Sequence, residues 1–215
     1  MNAKMHAFCL VILSAGPASA QLHGGDVDLT VSGGKIVTGQ RVYGAELGEI
    51  LPNEVDEPGF DSDPGTFPAG SSVGFAFVDS LRVWDGIDFD EIAPLTMSTQ
   101  FGSSLGPVTT PSTPGVVEGF ALNVAADGSW HRHLDYLLNP PATNGVYLLS
   151  LKLGSSDPTI GDSEPLYLVF NQNVDESVHD AAIDYVKARV AGIPEPASVV
   201  LLAVLGAALG KRRRI

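Results

Sequence analysis

Along most of the chain, hydrophobic and polar positions alternate in short runs punctuated by Gly, Pro, Asn and Asp. Residues 27–39, "VDLTVSGGKIVTG", carry two such runs around Gly33-Gly34, a dipeptide that supplies the positive φ angles of a tight hairpin turn. Residues 71–86, "SSVGFAFVDSLRVWDG", predict a further pair of strands, with Val73, Phe75 and Phe77 on one face. Strand-like runs follow at "LTMSTQF" from Leu95, "VVEGFALNVAADGSWHRHLDYLL" from Val116 with an Asp127-Gly128 turn, "GVYLLSLKL" from Gly145 and "PLYLVFNQN" from Pro165. Tyr147, Leu149, Leu151 and Leu153 alternate with Ser150 and Lys152, the pattern of a half-buried strand. About eight strands in succession predict an all-β fold, an antiparallel β-sandwich or jelly roll.

The period changes once, near the end of this region. "NVDESVHDAAIDYVKARV" from Asn173 predicts one C-terminal α-helix, with Asn173 as cap and Asp175 and Glu176 at the positive end of its dipole. Its expected apolar stripe is Val174, Val178, Ala181, Tyr185 and Val190. No internal repeat is visible, and "PVTTPSTPG" from Pro107 is too short a stiff loop to divide domains.

Both termini break the pattern. Lys4, the apolar run "AFCLVILSA", Pro17 and the small residues Ala18 and Ala20 predict a signal peptide over residues 1–20, cut before Gln21 by a signal peptidase after export. Nine apolar residues are too few to cross a bilayer. At the other end, residues 197–210 hold no charge and would span about 21 Å as a helix, short of the roughly 30 Å hydrocarbon core. Lys211, Arg212, Arg213 and Arg214 extend the reach by snorkelling and hold that end in the cytoplasm as a membrane stop. Pro194 and Pro196 keep the backbone just before this segment extended, as a protease requires. The tail therefore reads as a temporary stop in the inner membrane with a cut site, and an uncut tail anchor is the simpler alternative. The expected division is signal peptide 1–20, body 21–192 and sorting segment with a short transmembrane helix 193–215.

The tripeptide Pro194-Glu195-Pro196, the apolar stretch and the Arg-rich end together resemble the PEP-CTERM sorting signal of bacterial envelope proteins. The resemblance implies that these three residues are read by an exosortase, a membrane-embedded cysteine protease, and that the protein ends at the cell surface or in the extracellular matrix. "DEPGFDSDPGTFPAGSSVGF", "LRVWDG", "GSWHRHL", "GVYLLSL" and "FNQN" further resemble secreted PEP-CTERM proteins of planctomycete-type bacteria. That likeness spans the body and implies an architecture, with no assigned activity.

Charge narrows the partners. Residues 21–192 contain 24 Asp and Glu against 7 Lys and Arg, about 17 net negative charges, which repel nucleic acid and attract divalent cations or basic partners. Cys9, the single cysteine, falls in the predicted signal peptide, so no disulfide is expected in the body.

Two stretches carry candidate chemistry. If "WHRHLDY" is a strand, His131, His133 and Asp135 share one face, and two imidazoles at i and i+2 with a carboxylate form a ligand set for a transition metal such as zinc. His179 or Glu118 would complete it. The plain alternative is a set of solvent-facing polar residues opposite Trp130, Leu134 and Tyr136. Separately, "NEVDEPGFDSDPGTFP" crowds Glu54, Asp56, Glu57, Asp61 and Asp63 among turn residues, an oxygen-rich loop suited to calcium, of which Asp56, Glu57, Asp61 and Asp63 are the expected ligands. "DGIDFDE" from Asp85 is a thinner version. Gly70-Ser71-Ser72-Val73-Gly74 matches a serine-hydrolase pattern but precedes a strand where that motif needs a helix.

These features predict an exported, non-catalytic envelope module that is part of the surface or associates with extracellular polysaccharide. The alternative is a metal-dependent surface enzyme acting on glycans through His131, His133 and Asp135. Metal analysis separates the two.

Overall fold

Gly33 and Gly34 have φ angles of +59° and +74°, the left-handed pair that matches a two-residue hairpin to the twist of its strands. They join β1 (Val27–Ser32) to β2 (Lys35–Thr38), with Ser32 opposite Lys35, so the predicted hairpin forms. The computed structural model describes residues 25–192. The next strands are β3 (Val42–Glu46), β4 (Glu54–Val55), β5 (Phe60–Asp61), β6 (Ser72–Phe77), β7 (Arg82–Val83) and β8 (Met97–Phe101). They are followed by β9 (Leu105–Thr109), β10 (Val117–Asn123), β11 (Asp135–Leu138), β12 (Gly145–Ser155) and β13 (Leu166–Gln172). The chain then turns into the helix α1 (Glu176–Tyr185) and a π-helical turn, Val186–Val190. The fold is mostly β, with one short helix near the end of the described residues. The signal peptide with Cys9, Ala18 and Ala20, and the sorting segment with Pro194, Glu195, Pro196 and Lys211 to Arg214, lie outside these residues.

Among the described residues three sheets form, ordered β2-β1-β5, β10-β6-β12-β13-β3 with β7 also on β12, and β4-β11-β8-β9. Two pairings depart from the antiparallel expectation: β1 runs parallel to β5 and β13 parallel to β3. Both join strands far apart in the chain, which a parallel pair requires because no tight turn can make one. The predicted strands after Ser71 do not pair with each other; β6 and β7 both pair with β12. All three sheets contribute to one core, which includes Leu29, Phe60, Phe77, Met97, Trp130, Tyr136, Leu149 and Phe170.

The central strand β12 is buried on both faces, where alternation predicted one. Tyr147, Leu149, Leu151 and Leu153 face the main core, while Val146 and Leu148 join Val42, Phe89, Val169 and Ile183 in a second core beneath α1. Trp84 bridges this cover, with ring centroids 5.1 Å from Phe89 and 5.2 Å from Tyr185. Ser150 is buried with them.

The helix corrects two expectations. Asn173 has φ +52° and lies before the helix; Asp175 is the N-cap, with no side-chain capping bond. The inward face is His179, Ala182, Ile183 and Val186, whereas Val178, Ala181 and Val190 are exposed. The stripe is displaced by one position because His179, outside the expected stripe, is turned inward by a hydrogen bond to the Val169 carbonyl at 2.9 Å. Gly44 on β3 makes room for this: a β-carbon there would lie 2.7 Å from Ile183 Cδ1 and 3.2 Å from His179 Cε1.

Candidate metal centre

The site is built by three short chain segments lying side by side. Val27 is the parallel partner of Phe60, its amide donating to the Gly59 carbonyl at 2.8 Å. On the other side, Phe60 and Arg132 exchange backbone hydrogen bonds of 2.8 and 2.9 Å. Paired residues project to the same face of such a ladder and their neighbours to the opposite one. Val27 and Phe60 point into the core and are fully buried, with Phe60 against Trp130 at 5.8 Å between ring centroids. Their neighbours Asp26, Gly59, Asp61, His131 and His133 therefore share the outer face.

On that face the two histidines converge on Asp26. His131 Nδ1 lies 3.6 Å from Asp26 Oδ2, and His133 Nε2 lies 3.7 Å from Asp26 Oδ1. The imidazole rings meet edge to face with centroids 5.0 Å apart. The ligand atoms of Asp26, His131 and His133 all fall within 4.8 Å of one another. Asp61 Oδ1 stands 3.2 Å from His131 Nδ1, within hydrogen-bond reach. His133 Nδ1 faces the Asp56 carbonyl oxygen at 3.3 Å and Glu57 Oε1 at 3.5 Å. Donation from Nδ1 to that carbonyl leaves Nε2 as the lone pair aimed at Asp26, the tautomer a metal-ligating histidine adopts. Glu57 is held in place by the Gly59 amide, which donates to its Oε2 at 2.9 Å.

The structure thus merges two stretches that the sequence kept apart. The acidic loop supplies Asp56, Glu57 and Asp61 to the same face as the histidine pair. Its four expected calcium ligands do not meet at one point: Asp56 and Glu57 adjoin His133, Asp61 adjoins His131, and Asp63 joins no ligand cluster among the described residues. The Asp63 carbonyl instead accepts the Thr66 amide in a turn. A donor set with two imidazoles suits a transition metal better than calcium, which favours oxygen alone.

Three further expectations change. Asp135 does not join His131 and His133, because β11 begins only at Asp135, which pairs with Gln100. Arg132 alone is bridged in the preceding stretch, and Asp26 takes the carboxylate position. Glu118 lines a different cleft, with Lys152 and Asp162. His179 forms its own cluster beneath α1. Trp130, Leu134 and Tyr136 are buried, as the alternation predicts. Ser72 opens β6 and no helix follows it, so the nucleophile turn of a serine hydrolase is absent. In the Asp85 loop, amides donate to the carboxylate, Asp88 first and then Ile87, and hold Asp85 below the ordinary carboxylate range.

Asp26 was the missed residue. It is brought to the histidines by a parallel pairing between segments more than thirty positions apart, for which "GGDVD" carries no local sign. The charge balance favours a cation. Four carboxylates surround two imidazoles, and the nearby Arg132 guanidinium is taken up by the carbonyls of His131 and Asn123 at 2.6 and 2.7 Å. The centre is open to solvent, with the His131 side chain 57% exposed.

A scan against protein-family models finds no match, and a search of curated proteins finds no relative. Among the described residues no helix is long and apolar enough to cross a membrane.

Proposed function

We propose that this is an exported envelope protein, sorted through its Pro194-Glu195-Pro196 signal, whose β-sandwich body holds a transition-metal ion on its surface and uses it to attach to anionic extracellular polysaccharide. The observation that carries the metal reading is the convergence of His131 Nδ1 and His133 Nε2 on the Asp26 carboxylate, at 3.6 and 3.7 Å, on an exposed face. Asp26, His131 and His133 would supply three ligands, leaving positions open to carboxylate or hydroxyl groups of a polymer. A cation explains how a body with so large an excess of acid adheres to an anionic matrix. Export rests on the signal-peptide pattern of residues 1–20, and sorting on the C-terminal signal with its exosortase. The role is that of a binding module.

A second reading has one observation in its favour. Asp26 also forms part of the wall of a cleft of about 370 Å³ lined by Asp28, Gln40, Tyr43 and Lys187 among others. A metal-bound water at Asp26 would adjoin that space, which is the arrangement a metal-dependent hydrolase acting on a glycan would need. The two readings separate in one experiment on the full-length protein loaded with zinc. Retention on an acidic polysaccharide that is lost with a chelator and in the H131A/H133A variant, with the polymer intact, supports the binding module. Release of shorter or deacylated glycan supports the enzyme, and zinc-independent retention with the polymer left intact would refute both roles for the metal.

A further inference from the structure

Where α1 packs on β3, three ligating side chains meet that share no residue with the exposed centre. His179 donates from Nε2 to the Val169 carbonyl at 2.9 Å, so in the neutral imidazole the lone pair sits on Nδ1. That Nδ1 lies 3.0 Å from Glu46 Oε1 at the end of β3 and 3.9 Å from Glu176 Oε2, one turn earlier on α1. The His179 side chain is only 4% exposed. Both His179 Nδ1 and Glu46 Oε1 are buried without a hydrogen-bond partner, since their approach lacks hydrogen-bond geometry. Orphaned buried polar atoms are rare and costly, and two of them aimed at each other indicate a missing positive partner.

A proton would serve Glu46 and His179 but leave the Glu176 carboxylate facing another acid. A divalent cation engages all three groups together. Tetrahedral ligands about 2.0–2.1 Å from zinc sit roughly 3.3 Å apart, between the two separations found here. The hydrogen bond from Nε2 to a backbone carbonyl is the outer-shell contact that ligating histidines make. Glu176 is partly exposed and gives the ion a route from solvent.

We propose that Glu46, Glu176 and His179 form a second divalent transition-metal site, of the zinc class, that clamps α1 onto β3. It does not depend on the exposed centre, and its occupancy links the last described helix to the sheet.

The test uses Co²⁺ as a spectroscopic probe and the full-length H131A/H133A variant, in which the exposed centre is disabled. One molar equivalent of Co²⁺ should bind, with visible absorption of a four-coordinate nitrogen and oxygen site. Saturation at a hundredfold excess over the dissociation constant should raise the melting temperature by about 5–10 °C. Adding E176Q, a change at a partly exposed side chain that leaves the fold intact, should weaken binding at least tenfold, and adding E46Q as well should abolish it. No uptake by H131A/H133A, or uptake unchanged after E46Q and E176Q, would overturn the proposal. A melting temperature that responds to pH but not to Co²⁺ would overturn it too, assigning the pair to a shared proton.

Discussion

A β-carbon on Gly59 would lie 2.6 Å from His133 Cε1. It would also lie 2.6 Å from Asp26 Oδ1, so the absent side chain at this position is what allows histidine and carboxylate to approach. Gly59 is required here for space, since its own carbonyl is held by the Val27 amide and the next residue, Phe60, is bonded to Arg132. Replacing it with Ala should push His133 and Asp26 apart. Zinc affinity is expected to fall at least tenfold, with about 1–3 kcal/mol of lost stability from overpacking. Titration calorimetry and thermal melts of Gly59→Ala check both.

Tyr136 places a fully buried hydroxyl in the core with no hydrogen-bond partner. Removing it by Tyr136→Phe should leave stability unchanged or raise it by about 1 kcal/mol, because no bond is lost and a desolvation cost is relieved. Urea denaturation measures this, and a loss of 2 kcal/mol or more would show a partner for the hydroxyl.

The same residue governs alkaline behaviour. Burial first, and the nearby Glu57 charge second, hold the Tyr136 hydroxyl far above its ordinary value of 10.0. The unfolded chain therefore loses this proton near pH 10 while the folded chain keeps it. The folded state binds more protons above that pH, so stability is complete below about pH 10 and declines as pH rises further. Tyr136→Phe should remove this part of the decline, seen as a shallower fall in melting temperature between pH 10 and 11.

Trp130 ties the site to the core. Its ring is buried, its indole nitrogen donates to the Leu122 carbonyl at 3.1 Å, and its amide donates to Ser62 Oγ at 2.8 Å. Trp130→Ala should cost about 3–5 kcal/mol. Because His131 follows it directly, metal binding should weaken in the same variant even at temperatures where it remains folded.

The sorting proposal has a separate check. Glu195→Ala should produce a longer, membrane-retained form if an exosortase reads Pro194-Glu195-Pro196. Equal release of the wild-type and variant proteins would contradict it.

The sequence pattern reveals what is local. The Gly33-Gly34 hairpin, the inward positions Val73, Phe75 and Phe77, and the buried Trp130, Leu134 and Tyr136 follow from turn chemistry and alternation within a few residues. What depends on distant partners is not legible. Nothing near Val146 or Leu148 announces that a helix and the Trp84 loop will cover the back of β12. His179 is offered by the sequence as a partner of His131 and His133, and only the fold places it beside Val169 and Glu46 instead. The site shows the same division: the two histidines and the acidic loop are each visible, but their union at Asp26 rests on the pairing of Val27 with Phe60 and of Phe60 with Arg132.

The exposed centre is tested most directly by zinc stoichiometry in the full-length E46Q/E176Q variant, in which the buried cluster is disabled, against the same variant with Asp26→Asn, His131→Ala and His133→Ala added. One zinc per chain in the first protein and none in the second is the predicted result. Zinc-free protein in the first case, or equal zinc in both, would contradict a metal centre built by Asp26, His131 and His133.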